Sequence, residues 1–433
     1  MTRTLQEWLD YQQRIHPRSI ELGLDRVRAV WQRMGAPRLA PIVITVGGTN
    51  GKGSTVAFLE AMLVADGKRV GCYTSPHLLR YNERVRVLGE EASDAVLVDA
   101  FERIEAARAD IALTYFEFGS LAALWIFSQN ELDVAILEVG LGGRLDAVNI
   151  IDADVAIVTT IDLDHQDWLG NDRDSIGREK AGIFRAGQPA VIGMREANPG
   201  LLAEGQRIGA RMLCAGSDYR VVAHDAGWRW QMHGTNVELP APALAAPCQI
   251  DNAAAAIAAL YALRERLGWN PAALIAGVGN ARAAARLQRL HKAGAAALII
   301  DVAHNPQAAG VLGAWLQGEH GDGRTLAVFG ALADKDVAGI VAPLAPHVAH
   351  WYLGGLDADT PRGLPATELH LRVLGAAPTA DITACANVVD ALACALAQAG
   401  PHDRILAFGS FFVAAAALQW AQHNGWNGPA PAP

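Results

Sequence analysis

The chain has 433 residues, enough for two or three domains with buried cores of their own. Lys and Arg number 36 against 45 Asp and Glu, and the net charge of −9 excludes a general nucleic-acid binder that works through a basic surface. Hydrophobic residues at 51% and charged residues at 19% exclude a mostly disordered chain, while the longest apolar runs, 253–263 and 411–418, reach at most about half the length of a bilayer crossing, so no membrane span is expected.

Arg3, Glu7 and Asp10 occupy the place where an export signal needs its apolar segment. The five cysteines, Cys72, Cys214, Cys248, Cys385 and Cys394, form no C-x-x-C pair, which suits a reducing cytoplasm and implies no thiolate zinc site. From about residue 40 onward, apolar runs of strand length alternate with segments of helical period, the pattern of parallel α/β units. A strand is predicted over 42–46, a helix over 52–65 and a strand over 69–73. Between the first two lies V-G-G-T-N-G-K-G-S-T, residues 46–55. Its glycines let backbone N–H groups turn toward a phosphate, the helix N-terminus adds partial positive charge and Lys52 reaches the outer phosphates, so the segment reads as a nucleotide phosphate loop. It departs from the strict Walker pattern in having Val46 for the first Gly and Gly53 for the usual Ser or Thr. Without that hydroxyl, magnesium needs another oxygen ligand nearby.

The cluster Y-T-S-P-H-L-L-R-Y-N-E-R-V-R-V (73–87) comes next. Ser75 directly follows a strand, where a hydroxyl faces a site at the strand's carboxyl end. With 83–87 extended, Arg84 and Arg86 share one face, and both are expected in solvent. Buried strands are predicted over 133–138 and 154–159. Glu138 ends the first on the crevice side of a parallel sheet, suited to magnesium ligation or to orienting a water. The following G-L-G-G-R-L-D (140–146) is not a dinucleotide fingerprint, because Leu145 stands where the third Gly belongs and no clear helix start follows. I-D-L-D-H (161–165) closes the second strand with Asp164 and His165, so Ser75, Glu138 and His165 make a candidate mixed oxygen and nitrogen magnesium site. Lys180, in R-E-K-A-G-I-F, lies on a helical segment just beyond; a surface lysine paired with Glu179 or Asp174 is the alternative.

Residues 192–247 read as short mixed segments, small β pieces that lead to a helix over 252–267. A second α/β set has strands over 297–301, 325–329, 350–353 and 404–408, with the Ala/Arg-rich stretch 280–289 as linker. The architecture expected is α/β: an amino-terminal P-loop-type, mostly parallel sheet domain (1–281) and a smaller Rossmann-like carboxy-terminal domain (282–433), ending in a frayed Pro/Ala tail. D-V-A-H-N-P (301–306) closes a strand with Asp301, suited to a ribose hydroxyl, and His304, suited to a phosphate or carboxylate. F-G-A-L-A-D-K-D (329–336) and F-G-S-F (408–411) are strand-end loops of the same kind, and two such domains suggest one cleft between them.

In this order, G-T-N-G-K-G-S, T-S-P-H-L, L-T-Y-F-E-F-G, E-V-G-L-G-G-R-L-D, L-D-H, R-E-K-A-G-I-F, N-A-A, D-V-A-H-N-P and D-K-D make the chain resemble, over nearly its whole length, the folylpolyglutamate synthase and dihydrofolate synthase family. That family lies within the Mur ligase superfamily of ATP-dependent amide-forming enzymes. The resemblance implies that Thr49, Asn50, Gly51 and Lys52, with Gly53 and Ser54, cradle the phosphates of ATP, and that Ser75, Glu138 and His165 bind magnesium. It implies a carbamylated Lys180 that helps hold a second magnesium, Asn252 and Arg286 on the nucleotide, Asp301 at its ribose, and His304 and Ser410 at the incoming glutamate. Lys52, Lys180 and His304 are then the residues of the chemistry. Glu21, Leu22, Gly23 and Leu24, the stretch of Thr114, Tyr115, Phe116 and Glu117, and Leu145, Asp146 and Ala147 resemble pteroate-binding parts of enzymes that perform both reactions. The implied activity is addition of L-glutamate to dihydropteroate and to reduced folates through an acyl phosphate, by a monomer. A folylpolyglutamate synthase alone, or a ligase acting on a UDP-linked cell-wall precursor, is the alternative. Two positions depart from the family pattern: Cys248 precedes Gln249 where a His is frequent, and Ala285 replaces the usual Gly before Arg286.

Overall fold

Eight strands build the larger sheet: β1 (Ile42–Gly47), β2 (Val70–Tyr73), β3 (Val85–Val87), β4 (Glu90–Glu91), β5 (Val134–Glu138), β6 (Val155–Val158), β7 (Pro189–Ile192) and β8 (Arg211–Cys214). Their order is β4-β3-β2-β5-β1-β6-β7-β8. The six strands from β2 to β8 in that order run parallel, and β3 and β4 form an antiparallel edge. Every residue of β1, β5 and β6 is buried, as apolar strands covered by helices on both faces must be. The chain leaves β1 through the helix Lys52–Ala65 toward β2 on one side, whereas β5 continues to β6 on the other side of β1. Connections that diverge in this way open a crevice at the carboxyl ends of the strands, the usual ligand position in open α/β sheets.

The computed structural model describes residues 3–16, 18, 20–224, 227–319 and 323–428, and the Pro/Ala tail beyond 428 lies outside them. Among the described residues no helix is long and apolar enough to cross a membrane. The chain divides into two compact units, Met1–Ala243 with Gln249–Arg282, and Leu244–Cys248 with Ala283–Pro433.

The region 192–247 is richer than short β pieces. It holds a helix, Pro199–Ile208, capped by the Asn198 side chain and ended by Gly209 in the left-handed conformation, both signals present in the sequence. It also holds an antiparallel sheet of β9 (Tyr219–His224), β10 (Gly227–Met232) and β11 (Thr235–Leu239), in which alternation buries Trp228, Trp230 and Met232. The helix expected from 252 begins at Gln249 and stops at Ala262, with a separate turn Arg264–Leu267. Residues 83–87 are not extended throughout: Tyr81–Arg84 winds into a 3₁₀ turn and only Val85–Val87 pairs with β2.

In the second unit, β12 (Gln288–Leu290), β13 (Ala297–Ile300), β14 (Thr325–Phe329), β15 (His350–Gly354), β16 (Ile382–Cys385) and β17 (Arg404–Phe408) take the order β12-β13-β17-β14-β15-β16. Five are parallel and β12 is antiparallel at one edge. Ile299, Phe329, Trp351, Leu406 and Phe408 lie in its core.

Candidate functional site

Residues 48–51 turn the chain from β1 into the helix Lys52–Ala65. Gly48 has φ 141° and a Cβ there would overlap Thr159 Oγ1; Gly51 has φ 89° and a Cβ would lie 2.5 Å from Asn252 Oδ1. Side chains are therefore barred from both positions by conformation and by space. The loop is fastened to the end of β6: Thr49 N donates to Thr160 O (2.8 Å), Asn50 N to Thr160 Oγ1 (3.0 Å), and Thr159 Oγ1 to Asn50 O (2.6 Å). Lys52 Nζ donates to the loop carbonyls of Gly48 (3.0 Å) and Thr49 (3.1 Å), so its ammonium lies folded over the backbone that would surround a phosphate. Gly53 and Ser54 begin the helix; Ser54 Oγ accepts from Gln249 Nε2, whose Oε1 accepts from Asn252 Nδ2. The helix Gln249–Ala262 thus abuts the loop through Asn252, the residue expected on the nucleotide.

Next to the loop, Ser75 N donates to Glu138 Oε2 at 3.2 Å, which joins the ends of β2 and β5. His165, in the left-handed conformation, heads the short helix Gln166–Leu169 beyond β6, on the other side of β1 from Glu138. A buried carboxylate and a hydroxyl beside a phosphate loop fit magnesium, a hard ion that takes few protein oxygens and completes its shell with phosphate and water. Lys180 is 4% exposed on the helix Arg173–Ala181, which overturns the surface-lysine alternative. Burial, followed by repulsion from Lys52, pushes its ammonium down to about 7 against the pull of Asp164, Glu179 and Asp146, so a large share of the amine is uncharged near neutrality. Glu179 is not paired with Lys180 but with Arg144 of the 140–146 loop (2.9 Å). Asp146 accepts from Gly140 N, Leu141 N and Val148 N and caps the turn Ala147–Ile150; burial raises its carboxyl to about 6 although these three N–H groups pull the other way. Leu145 and Ala147 flank it in that loop.

The two segments likened to pteroate-binding parts are tied together. Arg26 pairs with Glu21 (2.6 Å) and with buried Glu117 (2.9 Å), while Thr114 and Glu117 form a reciprocal capping box at the start of the helix Tyr115–Ser128. Leu22, Gly23 and Leu24 lead into the helix Asp25–Arg33, and the Phe116 ring lies 6.1 Å from that of Tyr73. The expected solvated arginines are not solvated. Arg86 pairs with Glu60 (2.7 Å), and Arg84, 8% exposed, donates from Nε to His77 Nδ1 (2.8 Å). Sequence reasoning missed Arg84, Thr159, Thr160 and Gln249, although the Thr-Thr pair at a predicted strand end was a signal for the two threonines.

In the second unit, Asp301 leaves β13 buried, its two oxygens accepting Leu287 N and Ala303 N at 2.8 Å each. Burial raises its carboxyl, opposed first by the Arg286 charge. His304 Nδ1 lies 2.8 Å from Val302 O and so carries the proton, since a carbonyl only accepts. Its ring is 6.0 Å from Phe411, and the Arg286 guanidinium is also 6.0 Å from that ring. Ser410 caps the helix Phe411–His423 just past β17, the neighbour of β13. Arg286, Asp301, His304 and Ser410 therefore gather at one end of this sheet. Ala285, at the position where the resemblance leads one to expect Gly, is buried and takes φ 52°, a left-handed conformation that Gly adopts without a Cβ penalty.

The Mur ligase middle domain matches residues 46–260 and the Mur ligase glutamate ligase domain matches residues 285–411. The dihydrofolate synthase/folylpolyglutamate synthase of Escherichia coli is 46% identical over 416 residues, 96% of this chain and 95% of that protein, and that of Haemophilus influenzae is 38% identical over 96% and 97%. Among solved structures, E. coli FolC in complex with DHPP and ADP superposes with a TM-score of 0.91 at 43% identity, covering 98% of this chain and 99% of that one. A bifunctional folylpolyglutamate synthase/dihydrofolate synthase with Mn, AMPPNP and L-glutamate bound gives a TM-score of 0.88 at 43% identity, covering 98% of both chains. With both Mur ligase domains in sequence and such identity from end to end, the chain belongs to the dihydrofolate synthase/folylpolyglutamate synthase family of the Mur ligases.

Proposed function

We propose that this protein is an ATP-dependent ligase that joins the amine of L-glutamate to the carboxylate of dihydropteroate, giving dihydrofolate, and to reduced folates, giving folylpolyglutamates. A carboxylate is a poor acyl donor until one oxygen is made a leaving group. Its oxygen attacks the γ-phosphorus of ATP in line and ADP departs; the glutamate nitrogen then attacks the acyl carbon, the C–O bond to phosphate breaks, and the nitrogen gives up a proton.

Thr49 and Asn50, whose N–H groups fasten the loop to Thr160, shape the cradle; Gly51, Gly53 and Ser54 offer backbone N–H groups at the helix start to the phosphates, and Lys52 leaves its loop carbonyls to follow the charge that moves to the departing ADP. Ser75, Glu138 and His165 would hold one magnesium and carbamylated Lys180 a second; the ions neutralise phosphate charge. Carbamylation needs an uncharged amine to attack carbon dioxide, and the depressed Lys180 supplies one. Asn252, Arg286 and Asp301 bind the nucleoside, while His304 and Ser410 receive the amino acid. Glu21 to Leu24, Thr114 to Glu117 and Leu145 to Ala147 form the pterin side. Holding amine and acyl phosphate together supplies up to about 7–11 kcal/mol of the barrier. The enzyme works in the cytoplasm, in keeping with five unpaired cysteines.

One observation supports this reading above the others: β1 and β5 are neighbouring parallel strands, with Val46 beside Glu138, so the glycine loop and a buried carboxylate leave the sheet at the same end. Mass analysis of products from dihydropteroate, and then from tetrahydrofolate, each with ATP, magnesium and glutamate, tests it. Each product should be heavier by glutamyl residues. Phosphate release that ignores glutamate, or turnover confined to a UDP-linked acid, would overturn the reading.

A further inference from the structure

Arg84 sits at the end of the turn Tyr81–Arg84, in a corner made by two tyrosines. Its guanidinium carbon lies 5.3 Å from the Tyr81 ring and 5.6 Å from the Tyr115 ring, and those rings meet at 86° with centroids 5.8 Å apart. Nε–H donates to His77 Nδ1, which must therefore offer a lone pair and leave the imidazole proton on Nε2. The Tyr73 hydroxyl also lies near the guanidinium and is itself hydrogen-bonded with Ser120 Oγ at 3.2 Å. A neutral imidazole and neutral phenols are what surround this buried cation.

No carboxylate among the described residues lies within 4 Å of Arg84, whereas the neighbouring arginines are paired: Arg26 with Glu21 and Glu117, Arg80 with Glu91, and Arg86 with Glu60. Two carboxylates whose charges act on the same surroundings, Glu83 on His77 and Asp146 on Tyr73, are already engaged. Glu83 accepts from the backbone of Leu78, Leu79 and Arg80, and Asp146 from Gly140, Leu141 and Val148. A buried charge without a counter-ion is costly, and a fold that retains one has a partner arriving from outside as its simplest compensation. The backbone fixes where that partner must come: Arg84 O accepts from Thr74 N at 2.9 Å, one residue before Ser75, whose own N–H holds Glu138. The cation is anchored beside the crevice end of the sheet, and Tyr115 opens the helix that carries Phe116.

We propose that Arg84 is the receptor for the carboxylate of the acid substrate, gripping it with the two terminal guanidinium nitrogens while Tyr81 and Tyr115 hold the guanidinium plane in place. A planar fork matches a carboxylate in a way that an ammonium does not. This deepens the ligase reading given above and rests on it.

The test compares binding of dihydropteroate with binding of its carboxamide, which keeps the pterin and aryl rings but lacks the charge. Full-length wild-type, Arg84→Gln and Arg84→Lys proteins are titrated calorimetrically in the presence of magnesium and ADP, with ADP affinity as the check on folding. Wild type should prefer the acid by about ten- to a hundredfold, the range expected of hydrogen bonds to a charged group. Arg84→Gln should bind both within about twofold, and Arg84→Lys should recover only part of the preference. An undiminished preference in Arg84→Gln would overturn the proposal while leaving the ligase reading intact. Should Arg84→Gln fail to fold, Arg84→Lys decides: a preference reduced several-fold supports the assignment and an unchanged one refutes it. Wild-type protein that binds neither compound would remove both readings.

Discussion

Lys52 and Lys180 sit in different surroundings, the first folded over loop carbonyls and the second buried on its helix. Lys52 donates to backbone carbonyls of a loop it also helps to shape, so Lys52→Ala should leave the melting temperature within a few degrees and reduce phosphate release with dihydropteroate and glutamate to background. Turnover near the wild-type rate would exclude Lys52 from the chemistry. Lys180 titrates in the fold at about 7, below its ordinary value of 10.5. Between those values the unfolded chain binds the extra proton, so the contribution of Lys180 to stability rises with pH across the window and is flat below it. Metal-free wild type should therefore gain on Lys180→Met as pH increases from 7 to 10 in urea titrations; a constant difference would show that the residue is not buried as an amine. How far such residues could be read in advance depended on their setting. The position of Lys52 in a glycine loop between strand and helix announced its chemistry, whereas Arg84 sat in a run of charges that looks like surface, and only the 3₁₀ turn and the tyrosine corner reveal that it points inward.

Elements whose boundaries rest on local signals were readable; those that depend on partners far away in sequence were less so. The helix Lys52–Ala65 and the strands Thr325–Phe329 and Arg404–Phe408 lie where periodicity places them. The helix that breaks at Leu263 and the sheet of β9, β10 and β11 meet through Trp230 packed against Tyr261 and Trp269, a contact that no local pattern encodes. Thr114 and Glu117 illustrate a different limit. Their T-x-x-E spacing is a capping signal, and in the structure each satisfies a backbone N–H of the other at the head of the helix Tyr115–Ser128. Thr114→Ala should cost about 0.5–2 kcal/mol in denaturant unfolding. Glu117→Ala should cost more, because Arg26 keeps only Glu21 as an ionic partner. Equal losses from the two variants would mean that the Arg26 pair adds nothing. Gly51→Ala should weaken nucleotide binding at least tenfold, since a methyl group would push Asn252 off the loop, and equilibrium dialysis with ADP would measure it.

At the scale of the whole molecule, each unit has a core of its own, one centred on residues such as Phe118, Leu121 and Ile176, the other on Phe329, Trp351 and Phe408. Phe408→Ala should destabilise the second unit by about 3–5 kcal/mol and shift only part of the calorimetric unfolding trace. A trace that moves as one would show that the two cores melt together. Alternating strands and helices announced two α/β bodies, but nothing in the composition of residues 244–248 tells that these five residues side with the body encoded 35 residues later. That excursion has a practical outcome. The polypeptide passes from one body to the other three times, at 243/244, 248/249 and 282/283, so they are not beads on a string. A gene cut at codon 283 would yield a carboxy-terminal piece missing five of its own residues, among them Ala246, which packs on that core. Swapping this half between related ligases would accordingly require transplanting two separated stretches at once.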